Sequence, residues 1–447
     1  YPKYFSDLKS FSTPRISSKL LQITDSQSFI RSDLWRSGIS NKIPSYPEAV
    51  FTSNIRQSIQ DVENNPSIEN IQHLLEISDN DFKYLADYAN DLKLQLHGSD
   101  ITFVVNRNIN YTNICSFKCN FCAFSKGRGH DDLRGKPYNI SHEEIIRRTN
   151  EAIERGATEV CLQGGIHPKY SGETYLDIVR AIRSASSSIH IHAFSPLEID
   201  HGRKTLNISV KEFLVELKKA GLNSLPGTAA EILHDEIRAI ICPDKLTSKQ
   251  WISIIETAHS VGLPTTSTMM FGHVERNSHV AHHLLKLLNL QQKTNGITEF
   301  VPLPFVADEA PIFRRGQARP GPTFKETILV HSVARILFQG QINNIQGSWV
   351  KMGLAGLKFL LTSGINDIGG VLMNESITRS AGASFGQELR LEEVIGIADE
   401  LEFNLQQRNT LYDSLNNNLR DLISLQSIPL IPINNDYHQP KKLINIT

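Results

Sequence analysis

The sequence lacks the features that mark membrane proteins, secreted disulfide-bonded proteins and nucleic-acid-binding proteins. No stretch approaches the roughly 18 apolar residues of a spanning helix, and the leucine-rich run from Leu284 to Leu290 is interrupted by Lys286 and Asn289. Five cysteines in 447 residues, an odd number, argue against a framework of paired disulfides. A formal net charge of -1 gives no strong attraction to nucleic acid or a membrane surface. These absences favour a cytoplasmic enzyme with one large domain and extensions.

The sequence does contain a dense group of cysteines. Cys115, Cys119 and Cys122 are separated by three and then two residues. Iron–sulfur clusters are usually held by four cysteine thiolates, so a loop that supplies three leaves one iron open to a small molecule. The alternatives are a zinc site with His130 as fourth ligand, three free thiols, or a disulfide pair. Cytosolic proteins use clustered cysteines for metal or redox chemistry, which favours the iron–sulfur cluster.

The other two cysteines, Cys161 and Cys242, are predicted to be buried thiols with no ligand role. Cys161 lies in an apolar run, and Cys242 directly precedes a proline. Both are far in sequence from the group of three, and a free cysteine in a protein core behaves as a small apolar residue.

From residue 101 onward, strand-like blocks alternate with blocks of helical periodicity. Capping boxes, in which Ser or Thr precedes Glu or Gln by three residues, predict helix starts at Ser141, Ser209, Thr228, Thr247 and Thr323. The predicted strands cover residues 101–105, 159–165, 188–194, 223–227, 265–271, 297–304, 342–348 and 365–371. This alternation predicts the α/β class and a parallel TIM-type (β/α)8 barrel. Reactive groups in such barrels lie on loops after the strands, and the cysteine segment follows the first strand.

The predicted barrel occupies part of the chain. We predict four segments: a poorly informative N-terminal extension at residues 1–67, a helical segment at 68–100, the barrel at 101–390, and a C-terminal helix with a polar tail at 391–447. Residues 1–50 are rich in serine and basic residues, as transit peptides are. Asp7, Asp25 and Asp33 argue against that interpretation.

Two features near the predicted strand ends are candidates for binding a cofactor. Gln163, Gly164 and Gly165 end the second strand, where glycines permit close approach of a ligand and exposed amides suit a carboxylate. Phe121 lies between two of the cysteines and is placed to pack on an adenine ring. The alternatives are an ordinary tight turn for the glycines and simple loop packing for Phe121.

Polar residues on and after the third predicted strand are further candidates. His190 and His192 share one strand face, which makes them weak candidates for catalysis inside the barrel; hydrogen-bonded core histidines are the alternative. Ser195 and Glu198 follow that strand, where a ribose hydroxyl or an ammonium group would be met. For Glu198, an ordinary solvated loop acid is an equal interpretation.

The spacing of Cys115, Cys119 and Cys122, with an aromatic residue before the last, resembles the radical S-adenosylmethionine (SAM) enzymes. The resemblance implies a [4Fe-4S] cluster on these three cysteines, with SAM chelating the remaining iron through its amino and carboxylate groups. It implies that electron transfer from the cluster cleaves SAM to methionine and a 5'-deoxyadenosyl radical. It also implies that Gly164 and Gly165 hold the methionyl amino group of SAM.

Within that superfamily, the chain is similar to the tyrosine-using subunits of FO synthase, which begin the synthesis of a deazaflavin chromophore. The similarity covers about residues 68 to 412. Its motifs, in order, are Asn110–Cys115, Cys122–Phe124, Gln163–Pro168, His192–Glu198, Leu225–Glu231, Met373–Ile377 and Gln407–Tyr412. One departure is Phe385, at a position where the family pattern leads us to expect histidine.

This resemblance implies a particular reaction. The 5'-deoxyadenosyl radical would take a hydrogen from the amino group of L-tyrosine, the Cα–Cβ bond would break, and the 4-hydroxybenzyl radical would add to 5-amino-6-(D-ribitylamino)uracil. An electron donor and a second radical SAM subunit, which closes the ring later, are the implied partners. The alternatives are a menaquinone-pathway enzyme (aminofutalosine synthase or the cyclic futalosine-forming enzyme) and, in another class, a non-catalytic zinc-binding protein.

Overall fold

The structure, a computed structural model, describes residues 13–47, 53–125, 136–228 and 230–435. Its strands are Asp100–Val104 (β1), Asn106–Asn110 (β2), Glu159–Gln163 (β3), His190–Ala193 (β4), Thr265–Phe271 (β5), Ile297–Pro304 (β6), Asp367–Gly370 (β7), Asn404–Arg408 (β8) and Ser414–Leu415 (β9). Its helices are Pro14–Gln22 (α1), Ser53–Asn64 (α2), Ile68–Leu75 (α3), Asp79–His97 (α4), His142–Glu154 (α5), Gly172–Ala185 (α6), Pro196–Leu206 (α7), Val210–Ala220 (α8), Asp235–Ile241 (α9), Ser248–Ser260 (α10), Asn277–Thr294 (α11), Pro311–Arg314 (α12), Phe324–Leu337 (α13), Trp349–Leu361 (α14), Ile377–Ser380 (α15), Leu391–Glu400 (α16) and Leu419–Gln426 (α17).

The strands close into a parallel barrel. β2 pairs with β3, β3 with β4, β5 with β6, and β7 with β1, all in parallel. Single parallel bridges complete the ring: His192 to Ser224, Leu225 to Thr265, Phe300 to Ile345, Gln346 to Asp367 and, between β2 and the segment after β7, Arg107 to Met373. All eight predicted strand positions therefore take part, although the fourth and seventh contribute only isolated bridges. The predicted (β/α)8 architecture is confirmed.

Local sequence explains where the barrel helices begin. Side-chain oxygens of Ser141, Ser209, Thr247 and Thr323 each accept the backbone amide three residues later, as predicted. The prediction at Thr228 is wrong, because α9 begins only at Asp235. Glu231 has a positive φ of 47° and pairs with Lys245 instead of capping a helix.

The N-terminal segment packs on the outside of the barrel. Trp35 is buried and meets the ring of Phe324 edge-on at 5.4 Å between ring centroids. Asp33 accepts the backbone amide of Phe324 at 3.0 Å, and Arg31 donates to the carbonyl oxygens of Gly321 and Pro322. These contacts connect the described part of this segment to the start of α13.

The C-terminal segment forms the floor of the barrel. β8 pairs in parallel with the free edge of β1, which brings Arg408 into the interior. The guanidinium of Arg408 donates to Asp367 at 2.5 and 2.9 Å and to Glu299 at 3.4 Å, and the hydroxyl of Tyr412 donates to Glu299. The predicted single helix with a polar tail is incomplete here, since β8, β9 and α17 follow α16. The order of segments proposed from the sequence otherwise stays a prediction.

No helix in the four described ranges combines the length and the apolar character that a membrane crossing requires.

We expect Arg408→Met to destabilise the fold. Removal of the guanidinium would leave Asp367 and Glu299 as buried carboxylates without their cation, a change that costs about 3–5 kcal/mol. Urea unfolding of the purified protein would measure the loss. The control is Arg180→Met, which removes an exposed pair with Asp177 and should cost less than about 1 kcal/mol. Equal stability of the two variants would contradict this account of the floor.

Candidate active site

A cavity of about 410 Å³ occupies the barrel interior and opens beside the cysteine segment. Its upper wall includes all three clustered cysteines and the loop that follows β3. Its lower wall carries polar side chains from the strands and from the C-terminal segment, namely Asn106, Asn108, Glu159, His192, Thr266, Thr268, Glu299, Gln346, Arg408 and Thr410. The arrangement agrees with the rule that barrel enzymes place their chemistry after the strand ends.

Hydrogen bonds join the cysteine segment to the loop after β3. The backbone amide of Gly165 donates to the carbonyl of Thr112 at 2.9 Å, and that of Ser116 donates to the carbonyl of Ile166 at 2.9 Å. The amide of Ile166 in turn points at the sulfur of Cys115, 3.3 Å away. Cys115 is therefore fixed by contacts between its own segment and the loop after β3.

The other two cysteines are held by contacts farther along the segment. The amide of Ser125 points at the sulfur of Cys122 at 3.4 Å. Asn120, next to Cys119, donates through its backbone amide to Ile241 and through its side chain to Ile240, at the end of α9. Amide donors at sulfur atoms are the contacts that tune iron–sulfur clusters in proteins.

Burial favours the protonated thiols of Cys115 and Cys119 in the absence of a metal. Burial raises the pKa of Cys119 to about 12, although the nearby ammonium group of Lys245 acts in the opposite direction. Burial also raises the pKa of Cys115. Since the thiolate is the form that binds metal, ligand binding here requires the charge of a bound iron centre to drive off the protons.

The spread of the thiols suits a cluster of several irons better than a single ion. Across the described ranges, the one group of three metal-ligating atoms within 4.8 Å of one another is His234, Glu236 and His279. At least one pair of the three sulfurs is therefore more than 4.8 Å apart, whereas sulfurs around one zinc ion would lie about 4 Å apart, given Zn–S bonds of about 2.3 Å. His130, the candidate fourth ligand in the zinc alternative, lies outside the described residues.

Close packing explains the two glycines after β3. A Cβ atom at Gly165 would overlap the carbonyl oxygen of Ile114 at the start of the cysteine segment, and one at Gly164 would overlap the ring of Tyr111. Gln163, Gly164 and Gly165 all line the cavity. The glycines let the loop lie directly against the cysteine segment. Their role in binding SAM stays a prediction.

Ser195 and Glu198 have a structural role in addition to their place on the cavity wall. They form the capping box of α7, with the amide and hydroxyl of Ser195 donating to Glu198 at 2.7 and 2.5 Å. The hydroxyl of Tyr111 and the amide of Gly164 also donate to Glu198. Burial raises the pKa of this carboxyl, although all four donor groups favour its charged form. Glu198 is therefore buried and is not the solvated loop acid that was the alternative interpretation of the sequence.

His190 and His192 share a strand face, as predicted, and both contact the Ser224 hydroxyl at 2.7 Å. His192 lines the cavity, whereas His190 does not. Burial lowers the pKa of His190 to about 4 and also lowers that of His192, so both are neutral near pH 7.

The prediction that Cys161 is a buried thiol is wrong. Its side chain is half-buried and lines the cavity, because strand alternation turns it inward. Cys242 is buried, as predicted.

Phe121 and Phe385 have different environments. Phe121 lines the cavity, with the Lys245 ammonium 5.2 Å from its ring centroid. Phe385, the departure from the family pattern, packs against Gly353 and is not among the cavity-lining residues. The aromatic ring therefore fills space beside α14, and no contact with a ligand in this cavity follows from its position.

Sequence reasoning missed the charged residues of the cavity wall. Lys245 pairs with Glu231 at 2.7 Å beside Cys119, and Lys351 lies in the first turn of α14. Arg408 and Glu299 form the floor. Local motifs carry little sign of these roles, because each pair joins residues from distant parts of the chain.

The comparisons with known proteins agree with this geometry. The family model for the Radical SAM superfamily matches residues 109–287, and the model for the CofH/MqnC C-terminal region matches residues 294–420. The chain is 45% identical over 344 residues to the 5-amino-6-(D-ribitylamino)uracil--L-tyrosine 4-hydroxyphenyl transferase of Methanothermobacter thermautotrophicus, covering 93% of that protein and 77% of this chain.

The chain belongs to this radical SAM transferase family. The transferase of the same name from Methanopyrus kandleri is 47% identical over 73% of this chain and 87% of that protein. The FO synthase of Mycobacterium leprae is 47% identical over 72% of this chain, but the match spans 37% of that longer protein. The resemblance inferred from the sequence motifs is confirmed.

Solved structures support the fold. Methylornithine synthase aligns with a TM-score of 0.61, covering 82% of this chain and 99% of that chain at 15% identity. The FeFe-hydrogenase maturase of Carboxydothermus hydrogenoformans aligns with a TM-score of 0.60, covering 80% of each chain at 15% identity. At these identities the likeness concerns the barrel architecture alone.

We expect Gly165→Ala to reduce cluster loading. The added methyl group would push the Ile114 carbonyl and displace Cys115, a type of overpacking that costs about 1–3 kcal/mol. Iron and sulfide content after anaerobic reconstitution would measure the effect. The control is Gly396→Ala in α16, where no atom lies within 4 Å of the added Cβ. Full iron loading of Gly165→Ala would contradict the packing argument.

Proposed function

We propose that this protein joins the 4-hydroxybenzyl group of L-tyrosine to 5-amino-6-(D-ribitylamino)uracil, a step in deazaflavin coenzyme synthesis. The observation that carries the proposal is the cavity itself, which combines three thiols of one loop at its mouth with a polar, charged floor. The names of the curated transferases support the same substrates. The similar curated proteins named above are transferases and an FO synthase, which favours this function over the menaquinone-pathway alternative.

The proposed cofactors are a [4Fe-4S] cluster on Cys115, Cys119 and Cys122, and SAM on the open iron. When bound, they would supply the 5'-deoxyadenosyl radical that abstracts hydrogen from the substrate. Phe121, with its ring on the cavity wall, is the proposed contact for the adenine. The remaining proposed SAM contacts lie on the loops after β3 and β4: Gln163, Gly164, Gly165, Ser195 and Glu198.

The residues of this chain prepare the site in two ways. Arg408 and Tyr412, paired with buried acids, close the barrel floor, which limits the access of water to a reactive intermediate. Burial raises the pKa of the Glu299 carboxyl, and the charge of Arg408 opposes that rise. An enclosed cavity also holds two substrates close together, which favours their coupling.

Partners and location follow from the proposed chemistry. Reduction of the cluster requires an electron donor, and closing of the deazaflavin ring requires a second radical SAM subunit of FO synthase. We propose a cytoplasmic location, because a reducing compartment keeps the cysteine thiols free for iron.

The direct test supplies the reconstituted protein with SAM, a reductant, L-tyrosine and the diaminouracil under anaerobic conditions. We expect 5'-deoxyadenosine and the 4-hydroxybenzyl adduct, identified by mass spectrometry, in amounts that depend on both substrates. Parallel reactions contain a futalosine-type substrate in place of tyrosine. Formation of 5'-deoxyadenosine only in those reactions would refute the proposed function.

We expect Cys119→Ala to abolish SAM cleavage and lower iron content, since two thiols cannot retain the cluster in its proposed form. The control is Cys242→Ala, which removes a buried thiol whose charge is felt at Cys119 but which we do not assign as a ligand. This control should keep its iron and its SAM cleavage. Iron content and 5'-deoxyadenosine formation are measured for both variants. SAM cleavage by Cys119→Ala at the wild-type rate would show that the ligand assignment is wrong.

A further inference from the structure

Three cationic side chains in the described ranges line the cavity: Lys245, Lys351 and Arg408. Two of them are neutralised by the protein itself. Lys245 pairs with Glu231 at 2.7 Å, and Arg408 pairs with Asp367 at 2.5 Å. For Lys351, no described residue provides an ion pair or hydrogen bond to the ammonium group. Its positive charge therefore remains available inside the cavity.

The carboxylates nearest to Lys351 are already used elsewhere. Glu375 and Glu231 both favour the charged form of Lys351 through their electric fields. Glu375, however, accepts the backbone amide of Thr378 at 2.6 Å at the start of α15, and Glu231 holds Lys245. Lys351 thus lies close enough to feel negative charge but has no direct partner among the described residues.

A rigid backbone presents this side chain to the cavity. The Lys351 amide donates to the carbonyl of Ser348 at 3.0 Å, and its carbonyl accepts the amide of Gly38 at 2.6 Å. The indole of Trp349 donates to the carbonyl of Gly370 at 2.9 Å. Two residues after Lys351, Gly353 interrupts the helix with a φ of 64°. The first turn of α14 is therefore fixed from both sides.

An isolated ammonium group in such a place is unfavourable. Burial lowers the pKa of Lys351 to about 8, even though Glu375 and Glu231 act to raise it. Lys351 is half-buried, and a cation partly withdrawn from water is stabilised by an anionic partner, which a ligand in the cavity would supply. A carboxylate forms strong charge-assisted hydrogen bonds with lysine.

We propose that Lys351 is a specificity residue that binds the α-carboxylate of the L-tyrosine substrate. This inference rests on the proposed function. SAM also carries an α-amino carboxylate, at its methionyl end, but under the proposed function that group binds the open iron. The carboxylate that remains without a partner is the one on tyrosine.

The test compares ligands with and without the carboxylate. Equilibrium dialysis under anaerobic conditions would measure the binding of L-tyrosine and of tyramine, which lacks only the carboxylate, to the reconstituted protein with SAM. We expect the wild type to bind tyrosine about 10- to 100-fold more tightly than tyramine, the range for a hydrogen bond to a charged group. Lys351→Met should remove this preference, and Lys351→Arg should retain part of it. The affinity for SAM, measured separately, should not change.

A matched control lies on the same helix. Lys358→Met removes an exposed lysine that pairs with Glu400 outside the cavity, and it should keep the full preference for tyrosine. Equal binding of tyrosine and tyramine by the wild type would overturn the inference without any variant. So would a Lys351→Met protein that loses affinity for SAM but keeps the tyrosine preference. If the wild type forms no adduct and binds no tyrosine, the proposed function fails together with this inference; an active wild type whose preference survives in Lys351→Met refutes the inference alone.

Discussion

The site depends on the direct contact between two loops at the mouth of the barrel. The loop after β3 and the cysteine segment exchange backbone hydrogen bonds through Gly165, Thr112, Ser116 and Ile166. This exchange is possible because Gly165 has no side chain to separate the two backbones. The amide of Ile166 then points at the sulfur of Cys115. A loop with three thiols would otherwise have little regular structure to fix it, so the position of the proposed cluster follows from backbone packing.

The interior of the barrel is lined by many polar side chains, and most of its charged groups form ion pairs. At the floor, Arg408 pairs with Asp367 and Glu299, and near the mouth Lys245 pairs with Glu231. This pairing stabilises the charges inside the barrel, since buried charges without partners are costly. The cavity can therefore be dry enough for radical chemistry and still carry groups that recognise polar substrates.

The sequence revealed those features that are encoded locally. Strand and helix patterns predicted eight strand positions that all take part in the barrel, but they missed β2, which pairs with β3. The spacing of Cys115, Cys119 and Cys122 predicted the candidate cluster site. Features that depend on distant contacts escaped. β8 has the polar sequence of Asn404–Arg408, which carries no apolar alternation, and it becomes a strand only because β1 offers a free edge. The Ser-x-x-Glu pattern at Ser195 and Glu198 was the same capping signal recognised elsewhere, and the structure uses it in that way.

The floor of the barrel has a consequence for the order of assembly. The cysteine segment belongs to the first barrel strand, whereas Arg408 and Tyr412 follow the last. During synthesis on the ribosome, the thiols emerge long before the residues that seal the opposite end. Until the C-terminal segment docks, the end of the cavity opposite the cysteines lacks the side chains that close it, whereas the mouth beside the thiols is open before and after docking.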